Sequence, residues 1–295
     1  FYVQRGSIAM VFRHVPVTIK TLDELGLPQV LRDLAVKPRG LILVTGTVGS
    51  GKSTTLASIV DIINTECHSH VITIEDPIEF LHKDKQSIIS QREVGADTTS
   101  YADALKYILR QDPDAILIGE IRDADSMKVA LTAADTGHLV LSTMHTIDAT
   151  QTVSRIISFF PPHQHQEIRY LLASTMQAVI SQRLVADADG LTRYPACEIM
   201  IATGTIRDYI REAEKTVMIR QAIQEGFILD VLAHYMPVQS YYKLAKTVED
   251  DPEFDTKKAQ KKLRRFVEGH EHADNSATFL TLPARADTIR LFVGG

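Results

Sequence analysis

Cysteine is almost missing from this chain of 295 residues, which has only Cys67 and Cys197. Two thiols do not make a zinc site or a disulfide framework, and both read as buried side chains in a reducing cytosol. Long apolar runs are missing too: none approaches the ~20 residues needed to cross a bilayer, so no transmembrane segment is expected. No charged-then-apolar leader opens the chain, so nothing marks it for export. It starts at Phe1 without Met, already in a strand-like run, which suggests that its true N-terminus is missing. Positive charge is not in excess either. The formal net charge of −5 argues against a protein that coats nucleic acid, and no direct nucleic-acid partner is expected. What remains, 44% hydrophobic and 23% charged, is an ordinary globular composition, long enough for one large core or two smaller domains.

The stretch around which the rest is organised runs from Leu41 to Ser53. An apolar run, Leu41-Ile42-Leu43-Val44, breaks into the glycine-rich Thr45-Gly46-Thr47-Val48-Gly49-Ser50-Gly51-Lys52-Ser53-Thr54 and then into a helical pattern to Ile63. Gly46-x-x-x-x-Gly51-Lys52-Ser53 meets every fixed position of the phosphate-binding loop, with strand before and helix after. Glycines there let successive N–H groups turn inward, and the helix start behind them favours polyphosphate. Lys52 is expected to reach the β/γ-phosphates, and the Ser53 hydroxyl to hold Mg²⁺. A nucleoside triphosphate with Mg²⁺ is therefore the expected ligand.

Taken in order, residues 1–19 read as strand, with Arg5 and Arg13 its strong charges, either solvated or functional. Thr21 to Val36 reads as a helical connector interrupted at Gly26 and Pro28. Val71-Ile72-Thr73-Ile74 is a buried strand ending in Glu75-Asp76-Pro77-Ile78-Glu79, and carboxylates so placed are costly unless a cation sits nearby. Ser100 to Arg110 is an amphipathic helix with Ser100 and Asp103 spaced for capping. Ala115-Ile116-Leu117-Ile118-Gly119-Glu120 is a second buried strand with the form of a Walker B segment, in which Gly119 stands where an Asp is usual. Glu120 is then the candidate to polarise the attacking water. A helix from Asp123 to Thr136 leads to a third strand bracketed by His138 and His145, which are structural or functional at even weight and lack a third residue spaced as a metal ligand. His163-x-His165 reads as a loop. Asp148 to Phe160 and Gln166 to Ile180 read as amphipathic helices, followed by a hairpin around Asp187–Gly190 into Tyr194–Met200 and a helix from Thr205 bearing Arg207 and Arg211. Alternating strands and helices predict an α/β fold with a mainly parallel sheet covered on both faces, and the carboxylate ending the intervening strand points to a RecA-like P-loop NTPase core rather than a small-molecule kinase.

Together these motifs resemble the secretion ATPase superfamily, and within it the PilT-like retraction ATPases of type IV pili, from about Gly6 to Glu212. The landmarks are the phosphate loop, Ile74-Glu75-Asp76-Pro77-Ile78-Glu79-Phe80, Leu109-Arg110-Gln111-Asp112-Pro113-Asp114, Ile118-Gly119-Glu120-Ile121-Arg122-Asp123, and Thr136-Gly137-His138 through His145. Gly119 is the family's own form of Walker B. Ile206-Arg207-Asp208-Tyr209-Ile210-Arg211-Glu212 resembles the retraction branch, and the four-cysteine insert of the extension and type II secretion ATPases is missing. The resemblance implies twitching motility driven by a homohexamer that hydrolyses ATP at subunit boundaries. The motor would be cytoplasmic, peripheral to the inner membrane, and engaged with a pilus machinery protein there. By motif position Glu120, Glu79 and His145 would be catalytic, while Gly46 to Thr54, His138, Arg5 and Arg13 would bind nucleotide.

Residues 1–36 are then a remnant of an N-terminal α+β domain and linker, 37–215 the ATPase domain, and 216–295 a mostly helical tail. Residues 218–272 resemble instead a fragment of the type I restriction enzyme motor subunit. Lys257-Lys258 and Lys261-Lys262-x-Arg264-Arg265 give the tail a basic face. Two alternatives stay open beside the motor: a nucleotide-binding module without turnover, and a DNA translocase fragment.

Overall fold

The computed structural model describes residues 2–12, 15–186 and 193–223. Its centre is a seven-stranded sheet ordered β5-β4-β6-β7-β3-β8-β9. Six of these strands are parallel: β3 (Gly40–Thr45), β4 (His70–Glu75), β5 (Ile88–Glu93), β6 (Ala115–Ile118), β7 (Leu139–Met144) and β8 (Met176–Ala186). The seventh, β9 (Arg193–Ile201), returns antiparallel to β8 at one edge. This is the α/β, mainly parallel sheet expected from the alternation of strands and helices.

Strand alternation sorts the core into two layers. Leu41 and Leu43 of β3, Ile72 and Ile74 of β4 and Ile116 and Ile118 of β6 face one way. They pack against α4 (Tyr101–Ile108), α5 (Ala124–Asp135), α6 (Ala149–Ser158), α7 (His165–Thr175) and α8 (Gly204–Arg211). Ile42 and Val44, with Val71 and Leu117, face α3 (Lys52–Glu66) and the short α1 (Leu22–Leu25) and α2 (Val30–Ala35). Every residue of β3 and β7 is buried, as a parallel sheet covered on both faces requires.

Helix starts follow local chemistry. Ser100, Asp123, Asp148 and Thr203 each accept a hydrogen bond from the backbone two or three residues into the helix that follows. Thr21 and Glu24 form a reciprocal capping box on α1, which ends at Gly26 in the left-handed conformation, so the expected connector is two short helices split at Gly26 and Pro28.

Several expectations need correction. Residues 1–19 are not one strand. A small hairpin, β1 (Tyr2–Gln4) with β2 (Ser7–Ala9), turns at Arg5 and Gly6, both at positive φ, and among the described residues the strand stops at Ala9. The helix read over Gln166 to Ile180 ends at Thr175, and Met176 to Ile180 belongs to β8. The run is apolar on both sides because β8 lies between β3 and β9 with helices above and below, so no period-2 signal marks it. β5 carried no reading at all, since it is a half-exposed edge strand. His163 and His165 lie not in a loop but in a 3₁₀ turn (Pro162–Gln164) and at the first residue of α7.

Helices α7 and α8 finish each other. Buried Arg169 of α7 donates to the Ile210 carbonyl of α8 at 2.8 Å and to Thr216 Oγ1 at 2.9 Å. Arg207 of α8 donates to the Ala173 and Ser174 carbonyls at the end of α7. The packed core continues past residue 215, with Ile219 and Ile223 buried in it. The tail beyond Ile223, including most of the segment resembling a restriction motor, lies outside the described residues, as does the Asp187–Gly190 turn.

Candidate nucleotide site

Four parallel strands deliver their C-terminal ends to one edge of the sheet. β3 feeds the phosphate loop, β4 ends at Glu75, β6 leads into Gly119-Glu120, and β7 into His145. Between them is a cleft of about 280 Å³, lined by Gly49, Lys52, Ser53, Glu79, Glu120 and His145 among others. Ligand chemistry collects at such strand ends in α/β sheets.

The loop takes the conformation its glycines allow. Gly46, Gly49 and Gly51 have φ of 145°, 78° and 90°. A Cβ on Gly46 would stand 2.3 Å from the Gln182 carbonyl and 2.5 Å from Ser50 Oγ, so no other residue fits there. Lys52 opens α3 and is 8% exposed, and its Nζ donates to the Gly46 and Thr47 carbonyls at 2.9 and 3.0 Å. Burial pulls the Lys52 ammonium below its ordinary pKa, while Glu120 and Glu79 act in the opposite direction. Of the acidic cluster after β4, Glu79 acts on Lys52, while Asp76 and Glu79 are exposed to solvent and Glu75 is held by hydrogen bonds rather than by a cation. Ser50 Oγ is buried with no hydrogen-bond partner. A buried cation, an unspent hydroxyl and a glycine cradle are the donor set a polyphosphate needs, and they fit it. Val48 is 87% exposed at the loop tip, Ser53 lines the cleft, and Thr54 lies beyond it on α3.

Opposite the loop, one Glu120 oxygen accepts from His145 Nε2 at 3.1 Å and the other pairs with Arg122. Tyr101 also lines the cleft, and burial, then the charge of Glu120, pushes its phenol up to about 12. Glu75 accepts from Thr73 Oγ1 at 2.7 Å, Gln91 Nε2 at 3.2 Å and the Glu79 amide at 3.4 Å, and burial raises its carboxyl above the usual range. Gly119 has a steric cause. A Cβ there would lie 3.0 Å from Tyr101 Oη and 3.2 Å from the Ile74 carbonyl, so any side chain in place of the glycine has to push these neighbours aside by a few tenths of an ångström.

Not every expected site residue meets here. His138 sits at the start of β7, at the opposite edge of the sheet from the phosphate loop, with Nδ1 2.9 Å from the Ala133 carbonyl. Its ring serves the end of α5 and is not part of this cleft. Arg5 lies in the exposed β1–β2 turn and does not line the cleft. Arg13 falls outside the described residues. Sequence reasoning missed Arg122, Tyr101, His82 and Gln182 as site residues. Arg122 had a signal, two positions past a candidate base, but Gln182 was hidden by the misread end of α7.

With this geometry in hand, comparison with known proteins is informative. The family model described as "Type II/IV secretion system protein" matches residues 11–267. The chain belongs to that family. Its relatives include the type IV pilus retraction ATPase PilT of Pseudomonas aeruginosa, 47% identical over 77% of this chain and 65% of that protein. They also include the twitching motility protein of Neisseria gonorrhoeae, 47% identical over 77% of this chain and 60% of that protein. The chain thus spans under two thirds of the length of these relatives. Among solved structures, the pilus retraction motor PilT with bound ADP aligns at a TM-score of 0.70 and 43% identity, covering 84% of this chain and 72% of that one. The phosphate loop and the residues lining the cleft all lie within the matched segment. Among the described residues no helix is long and apolar enough to cross a membrane.

Proposed function

We propose that this chain is an ATP-hydrolysing subunit of a homohexameric motor that powers type IV pilus retraction, working at the cytoplasmic face of the inner membrane against a pilus machinery protein. The observation that carries the reading is a complete phosphate loop facing an acidic side chain, Glu120, held from both sides by His145 and Arg122. The names of the relatives supply the biological setting.

Lys52 and the loop amides would hold the phosphates, Ser53 would hold Mg²⁺, which would supply charge neutralisation when bound, and Glu79 would line the nucleotide. Glu120 Oε takes the proton of the attacking water, and His145 keeps that carboxylate aimed into the cleft. Arg5 and Arg13 are the cations that would stabilise charge on the transferring phosphoryl group at the subunit boundary. Catalysis on this plan is mainly positioning and charge stabilisation. Engaging both Glu120 oxygens, one with His145 and the other with Arg122, also favours a second reading, nucleotide binding without turnover.

The test is ATPase rate per chain against protein concentration, for the native chain beside Glu120→Gln. A rate that climbs with concentration and vanishes in the variant supports a ring whose subunits complete one another's sites. A flat rate near zero with ADP still bound selects binding without turnover.

A further inference from the structure

The phosphate loop is held from behind by one strand. Thr45, the last residue of β3, is paired in register with Ser181 of β8, and their hydroxyls are hydrogen-bonded at 3.0 Å in a buried position. One residue further on, Gln182 is 3% exposed and meets the loop at both ends. Its carbonyl occupies the space next to Gly46, 2.3 Å from where a Cβ would stand. Its side-chain amide nitrogen lies 2.9 Å from the corresponding point on Gly51. Its side-chain oxygen accepts from Thr55 Oγ1 at 2.7 Å, in the first turn of α3. Both glycines that bound the motif are therefore glycines against the same residue, and the helix start is hydrogen-bonded to it.

We infer that Gln182 is a positioning residue for nucleotide binding, acting through its hydrogen bond to Thr55 to keep the loop in its phosphate-competent shape. The reasoning is one of preorganisation. Loop amides bind phosphate only when they converge, and apparent affinity falls in proportion to the fraction of molecules in which they do. A buried hydrogen bond tying helix start to sheet raises that fraction, whereas an apolar side chain of equal length fills the space without fixing the angle. Nothing in the chemistry requires Gln182 to touch the nucleotide. The inference rests on the nucleotide-binding reading above.

The experiment is calorimetric titration of ADP with Mg²⁺ into the native chain, Gln182→Met, Thr55→Val and the double variant. All are measured well below their unfolding midpoints, with those midpoints recorded alongside. Each single variant is expected to raise the ADP Kd about fivefold to tenfold. The double variant is expected to be no worse than the weaker-binding single variant, because both remove the same bond. Folded variants whose Kd stays within twofold of native overturn the inference even if their midpoints fall, since that is a purely structural role. Independent, multiplying losses in the double variant also overturn it. If Gln182→Met does not fold, Thr55→Val decides by the same Kd criterion. A native chain that binds no ADP instead removes the nucleotide reading, and this inference with it.

Discussion

Gly119 offers the sharpest test of the packing around the site. Its amide donates to the Ile74 carbonyl at 2.8 Å, and its own carbonyl accepts from Thr143 Oγ1 at 2.8 Å, so the backbone is pinned on both sides. A methyl at position 119 would approach Tyr101 Oη to 3.0 Å, the Ile74 carbonyl to 3.2 Å and Glu75 Cα to 3.4 Å. Two of these neighbours are backbone, so the accommodation falls on the Tyr101 ring. Overpacking of this kind costs about 1–3 kcal/mol. Against it, replacing glycine where φ is ordinary returns about 0.4–1 kcal/mol by restricting the unfolded chain. Gly119→Ala should therefore lose about 1–2 kcal/mol, lowering Tm by roughly 3–6 °C. Removing the nearest atom with Tyr101→Phe should win back about half of that loss in the double variant, a coupling expected only for residues in contact. Gly119→Asp should cost more than about 3 kcal/mol, because it also places a second carboxylate beside half-buried Glu75. Thermal unfolding followed by circular dichroism measures the native chain, Gly119→Ala, Tyr101→Phe, their double variant and Gly119→Asp. An unchanged or raised Tm for Gly119→Ala, or no recovery with Tyr101→Phe, would refute the steric account of the missing aspartate.

Two further outcomes are expected. Lys52→Ala should lower ATP turnover at least about 100-fold, since the buried cation facing Glu79 and Glu120 is lost, and a steady-state rate within tenfold of native would sink the phosphate-loop assignment. His82 lies at the cleft with Nδ1 buried and unpartnered, and burial brings its pKa from 6.5 down to about 4, with Asp61 opposing. Between those two values the unfolded chain binds the extra proton, so stability should fall by about 2–3 kcal/mol as pH drops from about 6.5 to 4. Urea unfolding across that range should show the slope in the native chain and a weaker one in His82→Phe.

The parts of the site that lie close together in sequence were legible in it. Gly46 to Ser53 carries its own geometry, because the glycine positions and the flanking strand and helix all fall within one short segment. Glu120 was legible for the same reason, as the first acid after an unbroken apolar strand. What stayed hidden depends on partners far along the chain. His138 and His145 bracket one strand and look equivalent by type, yet six strand residues separate them and only His145 faces the loop. The role of Gln182 was invisible once Met176 to Ile180 was read as helix, since a strand buried on both faces and a buried helix show the same apolar run. Gly119 was recognised as a departure from the usual acid, but its cause, the Tyr101 hydroxyl, comes from a helix that the sequence only marked as amphipathic.

The crossed arginines of α7 and α8 bear on how displacement can pass through this protein. Because Arg207 ties α8 to the last carbonyls of α7, and α7 runs without a linker into β8, a push on α8 arrives at the root of the strand that backs the phosphate loop. There is no slack segment along that route. Helix α8, α7, β8 and the loop are thus joined in one series of contacts, with Gln182 of β8 its last member before the loop.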